Sequence, residues 1–449
     1  MTVWIKNPIA TFDPDVGSVT DGGVVVRDNR IIEKVALGRS PTTAVTSTVD
    51  ASRLVLLPGL INTHHHFYQT LTRAYRQALD KPLFPWLQAL YPVWAGLTEE
   101  MIALSTQVAC SELLLSGCTT SADHHYVFSG ALAHAIDVQA EAAAATGIRL
   151  VATRGSMSLG EADGGLPPDS VVQSTDTILA DSERLLTQLH DASDDAMCQV
   201  ALAPCSPFSV TKELMQETAA LAATHDVLLH THLAETEDEN AFCLETFGRR
   251  PLDHIEDCHW LQEKTWFAHG IHFNSDEIAR LGAANCGISH CPSSNMVLAS
   301  GTCPALPLER AGVHIGLGVD GSASNDGSNM IQEVRQALLI QRLGSNETVS
   351  HLDALRWATR GGAELLHRPA LGSLNVGDCA DLALFALDDL RFSGADDPLA
   401  ALVLCGAHAA EHVMVNGQWR VRNGALLDQD IAALKARHHA AALDLWAAH

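Results

Sequence analysis

Eight short, almost wholly apolar runs alternate with helical stretches between Leu54 and Ser322, and nothing else in the chain limits the fold as strongly. In order they are LVLLPGLINTH, CTTSAD, RLVATRGS, QVALAPCSP, VLLHTHLAE, TWFAHGIHF, CGISHCP and HIGLGVDGS. Between them lie amphipathic stretches such as residues 99–117 and 212–226, with apolar positions at helical spacing. Gly117 and Gly147 stand where helix C-caps belong. Apolar strands separated by helices are parallel and covered on both faces. Eight such repeats predict an α/β chain with a closed (β/α)8 TIM-type barrel. An open doubly wound sheet is the competing arrangement, but no GxGxxG follows any of these strands.

The flanks read differently. VWIKNP, GGVVVRDNRIIEKVA and RLVLLP precede the barrel, with turn signals at Gly22-Gly23 and Asp28-Asn29. GSLNVGDCADLALFALDD and EHVMVNGQWRVRNGAL follow it, with turns at Asn416-Gly417 and Asn423-Gly424. Residues 58–370 are therefore expected to form the barrel. Residues 1–57 and 371–449 are expected to form one small β-sandwich domain from both termini, ending in a helix over IAALKARHHAAALDLWAAH.

Barrel enzymes work at the C-terminal ends of their strands, and ligand-type residues collect there. Strand 1 ends in His64-His65-His66, strand 5 in HTHLAE with His230, His232 and Glu235, strand 6 carries His269, and strand 8 ends at Asp320. Alternation along a strand sends His64 and His66 one way and His65 the other. Paired core histidines would explain one HxH alone; they do not explain His232 and Asp320 at equivalent strand ends. Three imidazoles and one carboxylate suit a single divalent ion, Zn2+ first and Fe2+ second. Glu235, three residues beyond His232, is the type of group that shuttles a proton beside an activated water. The plainer reading places it among the helix-start acids of ETEDE, a role that suits Glu237, Asp238 and Glu239. His230 reads as a core or supporting histidine, and Cys205 and Cys291 as small packed hydrophobes near a pocket.

The remaining composition narrows partner and setting. A net charge of −25 disfavours nucleic acid and anionic membranes and fits a small neutral substrate, although acidity can also serve solubility alone. Eleven cysteines without a CxxC pair, no secretory signal and no apolar run of membrane length point to a reducing, cytoplasmic setting. Oligomeric state is not legible, and a homo-oligomer is compatible with the sequence.

PGLINTHHH, HTHLAE, AHG, SHCPSSNMVLASG and GLGVDGSASND, in this order, resemble the amidohydrolase superfamily, in its branch of cytosine, guanine and S-adenosylhomocysteine deaminases and s-triazine hydrolases. The resemblance covers nearly the whole chain. It implies one divalent metal, usually zinc, on His64, His66, His232 and Asp320. It also implies Glu235 as the proton-shuttling acid and His269 as a contact to the hydrolytic water and substrate. Strand 4 ends in APCSPFS without the lysine that carries a bridging carbamate in two-metal relatives, which supports a mononuclear site.

Within the branch, NTHHHFYQTLTRA, LFPWLQALYPVWAGLT, SADHHYVF and LAPCSPFSVT are most similar to the 8-oxoguanine deaminases. Many relatives read APHAPY where this chain has APCSPF, so Cys205 bears on substrate and not on chemistry. Residues 67–97 read as a long aromatic lid loop that could stack on a flat heterocycle. Gln69, Trp94, His124 and Cys205 are the candidate substrate contacts; Arg73, His125, His290 and Asn295 stay open. The expected reaction is hydrolytic deamination of an amino-substituted heterocycle, 8-oxoguanine to urate and ammonia, with Asp320 taking the water's proton, Glu235 protonating the ring nitrogen and His269 helping to hold the developing charge. Guanine, isocytosine or S-adenosylhomocysteine-type deamination and s-triazine amino- or chlorohydrolysis are the alternatives, with an inactive scaffold barrel the remote one.

Overall fold

A computed structural model describes residues 2–344, 348–427 and 429–447; the last two residues of the C-terminal stretch lie outside it. Eight parallel strands close into a barrel: β1 (Leu60–Asn62), β2 (Cys118–His125), β3 (Arg149–Ser156), β4 (Cys198–Pro204), β5 (Leu229–Leu233), β6 (Thr265–His269), β7 (Gly287–His290) and β8 (His314–Leu317). Closure is made where Leu317 pairs with Asn62. Each expected run supplies one barrel strand.

The first run is corrected in one respect. LVLLPGLINTH is two strands. Leu54–Pro58 pairs antiparallel with Leu382–Ala386 in a separate seven-stranded sheet, and only Leu60–Asn62 enters the barrel. The break falls at Gly59, where a Cβ would lie 2.1 Å from the Thr119 hydroxyl. An apolar run buried in two successive sheets has no polar residue to mark the change.

Both ends of the chain build the small β-sandwich. A four-stranded sheet contains Thr2–Lys6, Gly23–Arg27, Arg30–Lys34 and Ser47–Asp50; the seven-stranded sheet adds strands from residues 10–58 and 382–426. Alternation divides the larger sheet's side chains. Leu54, Leu56, Leu382 and Leu384 pack with Val3, Ile5, Val24 and Val26 of the facing sheet. Val55, Leu57, Ala383 and Phe385 point the other way and join the barrel's core. The Asn-Gly turns have positive φ at both residues, 48° and 77° at Asn416-Gly417 and 53° and 70° at Asn423-Gly424, as tight hairpins require.

The lid region is also corrected. Residues 67–97 are not one irregular loop: Phe67–Thr72 forms a 3-10 turn and Leu83–Trp94 is helix α1. Prolines obscure α1 in the sequence, yet Pro82 serves as its N-cap and Pro85 falls in its first turn, where no N–H is needed. Helix α2 (Glu99–Leu115) follows, with the Thr98 hydroxyl accepting from Met101 N–H at its N-cap. The C-terminal helix α3 (Ile431–Ala447) lies on the 3-10 turn, where Trp446 Nε1 donates to the Leu71 carbonyl at 2.8 Å and His438 and Thr70 meet at 3.0 Å.

One buried ion pair ties barrel to sandwich. Arg149 on β3 donates from Nε and Nη2 to the Asp381 carboxylate at 3.2 and 3.1 Å. Both side chains are enclosed. Asp381→Ala leaves that guanidinium buried without its counter-charge, which costs roughly 3–5 kcal/mol. Denaturant unfolding should show a loss of this size; a change below about 1 kcal/mol would mean that the pair does not hold the two parts together.

Candidate metal centre and cavity

The residues past the strand ends carry the site. His64 and His66 follow β1, where Asp320 N–H donates to the His64 carbonyl and His124 N–H to the His65 carbonyl. The side chains of His64 and His66 turn inward; His65 turns away and pairs with Ser328 at 2.9 Å. His232 comes from β5, His269 ends β6, and Asp320 lies beyond β8. Ala234, His269 and Asp320 occupy left-handed backbone, with φ of 54°, 74° and 60°. Such conformations cost free energy in non-glycine residues and collect where geometry is imposed by function.

Four donor atoms converge. Asp320 Oδ1 is 3.2 Å from both His64 Nε2 and His66 Nε2, and His66 Nε2 is 3.2 Å from His232 Nε2. The other nitrogen of each ring decides what these atoms are. His66 Nδ1 lies 2.6 Å from the His124 carbonyl and His232 Nδ1 lies 2.7 Å from the Cys205 carbonyl. A carbonyl only accepts, so both Nδ1 atoms carry the proton. His230 Nδ1 donates to the Trp266 carbonyl at 3.0 Å, so its Nε2 accepts from His64 Nδ1 at 2.8 Å. Each ligand-position histidine therefore presents a bare Nε2 lone pair to the same point.

Lone pairs facing one another and a carboxylate cannot satisfy each other. His64 Nε2 is enclosed and has no hydrogen-bond partner. Burial drives His64 well below its ordinary range, and burial, then the neighbouring His66, takes His232 down to about 3, so protons do not resolve the conflict. N and O ligands about 2.1 Å from a zinc ion lie about 3–3.5 Å apart, which the observed spacings match. The donor set fits a divalent cation.

Around this point the remaining groups are fixed. Asp320 Oδ2 accepts from Ser294 and Ser324 hydroxyls at 2.5 and 3.3 Å. His269 Nε2 is 3.5 Å from Glu235 Oε2 and 4.0 Å from Asp320 Oδ2, and its Nδ1 donates to Asn295 Oδ1 at 2.9 Å. Burial, then the charge of Asp320, raises the Glu235 carboxyl to about 8. Glu239 is not a solvent-facing helix-start acid. It is fully buried, and its carboxylate accepts from Ala234 and Glu235 N–H, both at 2.9 Å, clamping the strained turn that aims Glu235. ETEDE carries no sign of this, because it reads uniformly as a helix start.

A cavity opens onto the centre. It is lined by His66, His232, Glu235, His269 and Asp320, and of the candidate substrate contacts by Gln69 and Cys205. Gln69 Oε1 accepts from Ala323 N–H at 3.3 Å. Burial raises the Cys205 thiol to about 12, so it stays protonated. Trp94 and His124 do not reach the cavity. Trp94 stands behind the wall, donating to the Thr72 hydroxyl at 3.2 Å, and His124 donates from Nε2 to the Ala203 carbonyl at 2.9 Å. Arg73 pairs with Glu112 on α2, and His290 meets Gln341. Leu83, Leu87, Tyr126 and Phe208 line the cavity unforeseen, together with Tyr91 of the expected aromatic lid; α1 was needed to place Leu83, Leu87 and Tyr91.

This geometry belongs to a known class of protein. Residues 55–420 match the Amidohydrolase family, and the chain is a member of it. It is 60% identical, over 98% of both chains, to the 8-oxoguanine deaminase of Pseudomonas aeruginosa. It is 38% identical, over 91% of this chain and 88% of the relative, to the hydroxydechloroatrazine ethylaminohydrolase of a Pseudomonas species. Among solved structures, atrazine chlorohydrolase of Arthrobacter aurescens TC1 in complex with zinc superposes with a TM-score of 0.93 at 31% identity, over 98% of this chain and all of that one.

His230 fixes the tautomer of His64, so His230→Leu should weaken binding of a divalent metal about 10- to 100-fold in a chelator competition. His230→Gln, whose amide can accept from His64 and donate to Trp266, should recover most of it. Equal affinity in wild type and His230→Leu would refute this role.

Proposed function

We propose that this chain hydrolyses 8-oxoguanine to urate and ammonia with one divalent ion, zinc first, held by His64, His66, His232 and Asp320. The observation that carries the reading is the convergence of three bare Nε2 atoms and Asp320 beside a protonatable Glu235 in one enclosed cavity. The 60% identity to an 8-oxoguanine deaminase supports the choice of substrate. Among the described residues no lysine or arginine lines the cavity, so no cationic side chain there pairs with a phosphate or a carboxylate. A flat, uncharged lactam suits it.

When bound, a divalent ion brings water to ionise near neutral pH. The chain's own groups do the rest. His269, held by Asn295, offers its Nε2 lone pair to the attacking water and orients it. Asp320 accepts the proton that this water gives up. Glu235, with its carboxyl near 8, is protonated at neutral pH and passes its proton to the ring nitrogen beside C2 of the substrate. That makes C2 electrophilic. A C2–O bond forms, the proton taken up by Asp320 passes by way of Glu235 to the amino nitrogen, the C2–N bond breaks to release ammonia, and the proton of the new hydroxyl returns to Glu235 as C2=O forms. Glu239 keeps Glu235 on this line, and Gln69 has its Nε2 to donate to the lactam oxygen.

Two measurements test this. Ammonia release should be fastest with 8-oxoguanine in a panel that includes guanine, isocytosine and hydroxylated triazines; a hydroxytriazine turned over faster would transfer the assignment to the triazine hydrolases. Glu235→Gln should keep its metal and lose about 10²- to 10⁴-fold in kcat, whereas His64→Ala and Asp320→Ala should lose metal. Near-full activity in Glu235→Gln would remove it as the proton shuttle.

A further inference from the structure

Helix α1 spans the mouth of the barrel. Phe84 meets Phe208, beyond β4, with ring centroids 4.9 Å apart. Trp86 Nε1 donates to the Ala323 carbonyl, beyond β8, at 3.2 Å. Trp94 Nε1 is bonded to Thr72 at the helix's other end. Between these anchors Leu83, Trp86, Leu87 and Tyr91, at helical spacing, face the cavity.

Three of the four bring apolar or already bonded surface. Tyr91 is different. Its side chain is 1% exposed, and its hydroxyl is enclosed with no hydrogen-bond partner. Among the described lining residues it is the one whose enclosed polar atom is left unpaired. Buried polar atoms rarely stay so, and one carried by a cavity-lining residue of a doubly anchored helix is preorganised for a partner that the ligand brings. A phenol can donate and accept. Burial pushes this one well above its ordinary range, so it keeps its proton.

We infer that Tyr91 is a specificity-determining residue whose hydroxyl hydrogen-bonds the second ring of a bicyclic lactam, away from the carbon that loses its amine. The inference rests on the function proposed above. The metal centre, Glu235 and Gln69 engage the six-membered ring. The face of α1 is what remains for the fused five-membered ring, whose N–H and C=O groups match one phenol. Isocytosine carries the six-membered ring alone and offers Tyr91 nothing.

The test is Tyr91→Phe, which deletes one atom, assayed by ammonia release from 8-oxoguanine and from isocytosine. The ratio of kcat/KM for 8-oxoguanine to that for isocytosine should fall by about tenfold or more, chiefly through KM for 8-oxoguanine. Zinc content and Tm measured alongside should match wild type, which separates lost recognition from lost structure. A ratio within twofold of wild type, or equal losses on both substrates, would overturn the assignment while leaving the deaminase reading intact. A wild-type chain that releases no ammonia from 8-oxoguanine would overturn the functional reading and, with it, this inference.

Discussion

Three imidazole lone pairs and a carboxylate oxygen aimed at one point are the constraint on which the rest of this molecule depends. They repel unless a cation lies between them, and the protein leaves them no alternative. Backbone carbonyls of His124 and Cys205 hold the protons of His66 and His232 on the far side of the rings. His230 and the Trp266 carbonyl do the same for His64. These carbonyls belong to or directly follow neighbouring strands, so closure of the barrel and orientation of the ligands are the same event. The left-handed turns at Ala234, His269 and Asp320 show where the chain departs from its preferred backbone to complete the arrangement.

The rest of the fold keeps that point fixed and dry. The seven-stranded sheet sends alternate side chains into two cores, so the sandwich and barrel share a wall. The C-terminal helix braces the 3-10 turn that carries Gln69, and α1 closes the mouth. Enclosure is what raises Glu235 toward neutrality and keeps the Cys205 and Tyr91 protons in place. A single property, exclusion of water, thus sets the protonation states that hydrolysis of a neutral heterocycle calls for.

Much of this is legible in the amino acids. The eight runs show because parallel strands are apolar on both faces, and the ligand-type residues stand out because polar groups are rare at their ends. Three kinds of feature are hidden. The break at Gly59 is invisible because both strands of LVLLPGLINTH are equally buried. Helix α1 is masked by its prolines, at the N-cap, in the first turn and, at Pro92, inside the helix. Residues that act through another group carry no signature: Glu239 looks like any helix-start acid, and His230 like any core histidine. Trp94 fails as a substrate contact for a related reason, since aromatic character does not say which side of a wall a ring will occupy.

Diffraction from crystals of the protein as purified, recorded on either side of the zinc absorption edge, tests the central claim most directly. The account predicts a single anomalous peak about 2.1 Å from His64, His66 and His232 Nε2 and from an Asp320 carboxylate oxygen. Active crystals with no peak there, or with their ion bound elsewhere, would contradict it.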